Sequence, residues 1–259
     1  AALFSQNYDG LGYNVAIGHN CGQLVTTGIQ NTLIGGLSGD ALLTGGNNVA
    51  VGYHSLSGTT VGNDNIAIGK DALELNVNGS ASVAIGSLAL EDQAPTGASN
   101  TYNIAIGHHT GRNVTTATQN TLIGALAGDA ITTGMNNVAL GYNALGAEVG
   151  NSANVAIGTH ALEDQTSASG TAYNTAVGHG AGRNITTGVE NTLLGGLAGD
   201  ALLTGQNNTA VGYLALSAAD ANENYNVAIG SGSLMNLNGS GDMWNTAVGT
   251  NSGLSLTTG

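Results

Sequence analysis

The sequence predicts an all-β fold, a parallel β-solenoid of about fourteen 17-residue coils. Three observations carry that expectation. A five-residue phrase, Asn-(Val/Thr/Ile)-(Ala/Leu)-(Ile/Val/Leu)-Gly, recurs fourteen times, mostly seventeen residues apart, with Ser82 once replacing the asparagine. Its apolar residues keep strand rather than helical spacing. Glycine supplies 43 of 259 residues, whereas proline appears once, as Pro95, so tight corners are plentiful and strands are rarely interrupted. Repetition at a fixed period marks a stack in which each unit buries its apolar face against its neighbours.

The phrases begin at Asn14, Asn31, Asn48, Asn65, Ser82, Asn103, Asn120, Asn137, Asn154, Asn174, Asn191, Asn208, Asn226 and Asn245. Position 1, numbered from the asparagine, should form a ladder of side-chain amides through Asn14, Asn31, Asn48 and Asn65. Position 2 is always β-branched and position 4 always Ile, Val or Leu, so both lie on one face of a short strand. Position 3 is alanine eleven times and leucine at Leu33, Leu122 and Leu193. Apolar residues on both faces indicate burial on both sides. One side is the interior of the coil, and the close-packed alanines are expected to meet another chain. Position 5 is glycine throughout (Gly18, Gly35, Gly52, Gly69 and onward), which suits positive φ or close backbone approach.

A second short strand is expected after this corner. Position 8 is small and position 9 alternates between leucine and glycine, while Thr-Gly pairs close many turns. The single cysteine, Cys21, falls in the small slot and reads as an alanine substitute.

Composition limits the possible functions. Three Lys+Arg stand against sixteen Asp+Glu, a net charge of −13. Phosphate backbones need clustered cations, so nucleic acid and anionic membrane surfaces are disfavoured. No stretch approaches the ~18 apolar residues of a membrane helix.

A longer period overlies the coils. Four kinds of unit follow in order, marked in turn by histidine at position 6 (His19, His108, His179), by Asn-Thr-Leu, by tyrosine at position 6 (Tyr53, Tyr142, Tyr213), and by a longer second half. The array runs continuously over 14–259, with super-repeats 14–102, 103–173, 174–244 and a truncated 245–259. Residues 1–13 read as the end of a preceding unit, and the chain as a segment of a longer protein. Additional residues enter at Gln93–Tyr102, Gln165–Tyr173, Ala218–Tyr225 and Met235–Trp244. Insertions in solenoids gather on one face, often the binding face. Tyr102, Tyr173, Tyr225 and Trp244 are therefore the candidate recognition residues; the alternative is an aromatic packed back on its coil.

Stacking also aligns charges. Position 10 places both arginines between acids, as Glu91–Arg112–Asp129 and Glu163–Arg183–Asp200, and inter-coil ion pairs are expected there. The adjacent acids Glu91/Asp92 and Glu163/Asp164 recur at equivalent places, which suits a structural role better than two carboxyls set across a sugar. His108-His109 lacks a third ligand at zinc-like spacing. No catalytic, cofactor or metal set is expected.

The phrases Asn174-Thr-Ala-Val-Gly178, Asn208-Thr-Ala-Val-Gly-Tyr-Leu-Ala-Leu216 and Asn154-Val-Ala-Ile-Gly-Thr-His-Ala-Leu162 resemble the head repeats of trimeric autotransporter adhesins. They are also similar to Asn-Thr-Ala-Val-Gly arrays in phage tail fibres. The resemblance covers 14–259, although the seventeen-residue unit exceeds the usual adhesin-head unit. It implies a left-handed β-roll, a side-by-side homotrimer, and an extracellular structural role in host attachment, as a virion appendage or on a cell surface. The implied partner is a cell-surface receptor, glycan or protein. A phage or viral tail fibre is the first reading, and a bacterial adhesin or surface filament protein the second. An ice-binding solenoid is a remote third, because adjacent Thr-Thr pairs point opposite ways along a strand.

Overall fold

A computed structural model describes residues 1–7, 9–166, 170–218 and 222–258. Its elements are all strands and turns, and among the described residues no helix is long and apolar enough to cross a membrane. The chain forms two compact units, Ala1–Thr133 and Gly134–Gly259.

Unit 1 carries β1 (Val15–Ile17), β2 (Thr32–Ile34), β3 (Val49–Val51), β4 (Ile66–Ile68), β5 (Gly79–Ser80), β6 (Val83–Ile85), β7 (Ser99–Asn100), β8 (Ile104–Ile106) and β9 (Thr121–Ile123). Unit 2 carries β10 (Val138–Leu140), β11 (Asn151–Ser152), β12 (Val155–Ile157), β13 (Gly170–Thr171), β14 (Thr175–Val177), β15 (Thr192–Leu194), β16 (Thr209–Val211), β17 (Glu223–Asn224), β18 (Val227–Ile229), β19 (Gly241–Asp242) and β20 (Thr246–Val248). Positions 2 to 4 of each coil form a three-residue strand. Within each unit these strands pair in parallel, one coil upon the next, as a β-solenoid.

Like pairs with like. Val15, Ala16 and Ile17 face Thr32, Leu33 and Ile34, which in turn face Val49, Ala50 and Val51. The insertion between β6 and β8 leaves that register intact, with Ala84 opposite Ala105. Short parallel pairs tie the insertions to the stack: β7 and β13 pair with β5 and β11 of regular coils, and β17 pairs with β19 of the next insertion. Residues 167–169 and 219–221 of the second and third insertions lie outside the described residues.

Two expectations are corrected. The position 3 side chains do not await another chain: Leu33, Ala50, Ala67, Ala84, Ala105 and Leu122 are fully buried inside their own unit. The interior is narrow, so the small side chain points inward and the β-branched pair points out. Strands β2, β3 and β6 accordingly read half-buried, buried, half-buried. Nor does a second strand form in every coil. Positions 7 and 9 adopt left-handed backbone, as at His54 (φ 60°) and Leu56 (φ 56°), and turn the chain where a strand was expected. Inter-coil hydrogen bonds continue through the turns, for example Leu56 N–H to Ala72 O at 2.9 Å.

Position 5 glycine has two reasons to be glycine. Gly35 has φ 140°, and a Cβ there would lie 2.2 Å from the Gly52 carbonyl oxygen of the next coil. Position 9 adjusts to position 3. Leu33 fills the space above Gly22 and Gly39, whose added Cβ atoms would lie 2.8 Å and 2.9 Å from its methyls. In the next coil the arrangement reverses, with Ala50 opposite a fully buried Leu56. Interiors packed at crystal-like density require this exchange of volume.

Candidate functional site

The asparagines line the interior as a directional amide ladder. Asn31 donates both its backbone N–H (2.8 Å) and its side-chain Nδ2 (3.2 Å) to Asn14 Oδ1. The same Nδ2 also donates to Gly45 O at 2.9 Å. Asn48 repeats the pattern on Asn31 Oδ1 and Gly62 O, and Asn65 takes its turn on Asn48 Oδ1 and Gly79 O. Buried amides are tolerated because each finds such partners. Where Ser82 interrupts the column, a buried Gln93 supplies the missing amide. Its Oε1 accepts from Asn103 Nδ2 at 2.8 Å, and its Nε2 donates to Ser82 Oγ at 3.0 Å.

The outward face of the strands is partly exposed along its length. Positions 2 and 4 present Val15, Ile17, Ile68, Ile104, Ile106, Leu140, Leu194, Ile229 and Val248 to solvent, each at least a third exposed. The aromatic candidates border this file. Tyr102, Tyr173, Tyr225 and Trp244 each immediately precede a position 1 asparagine in left-handed backbone, φ 52° to 60°. All four remain exposed rather than folding back on their coils. Tyr225 and Trp244 stack on one another, centroids 4.1 Å apart and 8° from parallel. Tyr102 accepts a 2.8 Å hydrogen bond at its hydroxyl from Asn100 Nδ2.

Each charged column makes one ion pair. Arg112 Nε lies 2.5 Å from Glu91 Oε2, and Arg183 Nε 2.7 Å from Glu163 Oε2. The other half of the expectation fails: among the described residues neither Asp129 nor Asp200 joins an arginine in an ion pair. Each arginine reaches the preceding coil. Burial instead pushes both aspartates above the ordinary carboxylate range, with Arg112 and Arg183 opposing that rise from a distance. Cys21 is buried, its Sγ donating to Leu33 O at 3.1 Å, and burial raises its thiol pKa.

A cluster of metal-ligating types escaped the sequence reading. His54, Asp71 and Glu74 each bring one donor atom within 4.8 Å of the others. The signal lay in two columns at once: His54 and Asp71 share position 7 of adjacent coils, while Glu74 stands at position 10. Reading position 10 alone shows Ser57 and Glu91 beside Glu74 and leaves His54 and Asp71 out.

No protein-family model, curated protein or solved structure matches the chain.

Proposed function

We propose that this chain is a structural and adhesive segment of an extracellular fibre, a phage or viral tail fibre used in host attachment, assembled as a homotrimer. The observation that carries the reading is the outward file of β-branched and aliphatic residues at positions 2 and 4. It repeats on the coils of both units and meets nothing in the single chain. Contiguous apolar surface of this kind is a contact surface for another macromolecule. Identical copies suit it, since every coil offers a β-branched residue at position 2 and an aliphatic one at position 4; the number three follows from the resemblance to trimeric adhesin and tail-fibre repeats. The exposed tyrosines and Trp244 beside the file supply flat surfaces for a glycan or protein receptor.

The proposed role is non-enzymatic. An ice-binding surface finds little support, because the hydroxyls of Thr26, Thr60, Thr115 and Thr186 donate to carbonyls of the next coil instead of forming a free array. A bacterial adhesin or surface filament would use the same surface.

Light scattering on the purified chain tests the assembly. A mass three times that of one chain supports it, and a monomer at micromolar concentration refutes it. Val49→Lys with Ile66→Lys should return a trimer to monomers. Attachment is tested separately by adsorption of labelled trimer to intact bacterial cells, expected to weaken on Tyr225→Ala with Trp244→Ala.

A further inference from the structure

His54 and Glu74 line one cleft of unit 1 together with Asp40 and Ser57, and Asp71 brings a donor atom within 4.8 Å of both. They come from adjacent coils: His54 from the coil that begins at Asn48, the two acids from the one that begins at Asn65. His54 Nδ1 is 3.5 Å from Asp71 Oδ1 and 3.3 Å from Glu74 Oε1, and neither contact is a directed hydrogen bond. Two ligands held tetrahedrally at ~2.0–2.1 Å from a zinc ion stand about 3.3–3.4 Å apart. Both oxygens thus stand close to ligand separation from Nδ1. From this geometry we propose that His54, Asp71 and Glu74 form a binding site for one divalent transition metal of the zinc class, which clips two successive coils together.

Three further features support the site. Asp71 is nine-tenths buried and is oriented by Lys70, whose Nζ holds its other oxygen, Oδ2. Ligating carboxylates are characteristically fixed by such an outer partner. Asp40, from the coil before, adds negative charge beside the imidazole. Asp71 and Glu91 crowd Glu74 with like charge, which a bound dication would offset.

The matching positions of unit 2 provide a contrast. There Asn143, His160 and Glu163 replace His54, Asp71 and Glu74, and the protein fills the carboxylate itself. Asn143 Nδ2 donates to Glu163 Oε1 at 2.6 Å, and Arg183 Nε lies 2.7 Å from Oε2. Asn143 stands where His54 does, and Arg183 holds the column position that Glu91 holds in unit 1. One nitrogen and two carboxylate oxygens, with room for a water, suit zinc or cobalt(II); calcium requires ~6–8 oxygens.

The test is calorimetric titration of the chelator-treated, dialysed chain with Zn²⁺, followed by Co²⁺ as an optical probe. Saturation at one ion per chain is expected, with intense visible Co²⁺ absorption diagnostic of four-coordination. His54→Ala and Glu74→Gln should each weaken Zn²⁺ binding by ~10-fold or more, with circular dichroism unchanged. His160→Ala should leave the affinity as it was. The proposal is overturned if there is no saturable uptake, if uptake survives both His54→Ala and Glu74→Gln, or if Ca²⁺ binds equally well.

Discussion

Exchanging Leu33 and Gly39 tests the volume compensation on which the interior depends. Leu33 is fully buried, and its methyls fill the space above Gly22 and Gly39. Leu33→Ala alone leaves that space empty, and large-to-small changes of this kind cost ~2–5 kcal/mol. Gly39→Leu alone drives a side chain into the same volume; its first carbon would already lie 2.9 Å from Leu33 Cδ2. Overpacking adds ~1–3 kcal/mol or more. Backbone strain at φ 57° is shared by Gly39→Leu and the double variant, so it cancels from the coupling, and Leu56 at φ 56° shows that a leucine can hold that conformation. The double variant recreates the Ala50/Leu56 arrangement of that coil one step earlier. It should therefore be more stable than either single variant, with a favourable coupling of at least ~2 kcal/mol. Urea unfolding followed by circular dichroism measures the cycle, provided the m-value is the same for all four proteins. Strict additivity would refute the reasoning and show the two positions to be independent.

Other perturbations follow from the same geometry. Gly35→Ala places a Cβ 2.2 Å from a backbone oxygen that cannot move alone, so it should destabilise unit 1 far more than Gly97→Ala, where a Cβ meets open space; thermal melts of the pair decide. Asn48→Ala strips Gly62 O of its donor and Asn65 N–H of its acceptor, at ~1–3 kcal/mol for each group left unpaired; a loss below ~0.5 kcal/mol in urea would deny the ladder that role. Arg183→Ala removes a largely exposed pair and should cost under ~1 kcal/mol, an effect that salt should erase. Glu148 is fully buried and its pKa is raised, chiefly by that burial. The unfolded chain then releases its proton at ~4.3 while the folded chain retains it, so stability falls as pH rises from there to the folded value and is level above it. Glu148→Gln should flatten that slope and raise the melting temperature at neutral pH, and parallel pH profiles for the two proteins would contradict it.

Much of the solenoid was legible because one strand per coil is written in consecutive residues. The phrase from Asn14 to Gly18 set strand position, register and corner, and the spacing of asparagines announced their ladder. Which side of the strand faces inward was misjudged at Ala50. Both faces are apolar, and only the cramped interior decides between a methyl and an isopropyl group. The turns after Gly52 were also obscure, since left-handed backbone is expected of glycine and His54 and Leu56 carry it instead. Of the charged columns, sequence adjacency placed Arg112 between Glu91 and Asp129 but could not tell which way a long side chain leans. The histidine–carboxylate cluster was hidden because its members belong to two columns that become neighbours only when the turn folds position 7 towards position 10.

The asparagine ladder gives every coil an unequal top and bottom. The side-chain oxygen of Asn31 faces forward and receives Asn48, while its amide nitrogen donates backward to Asn14 and, within its own coil, to Gly45 O. Along this column the side chains of a coil therefore offer acceptors on one surface and donors on the opposite one. A further coil can add in a single sense, head to tail; inverted docking would set oxygen against oxygen. The molecule thus carries an arrow, and anything that grows upon it inherits the direction.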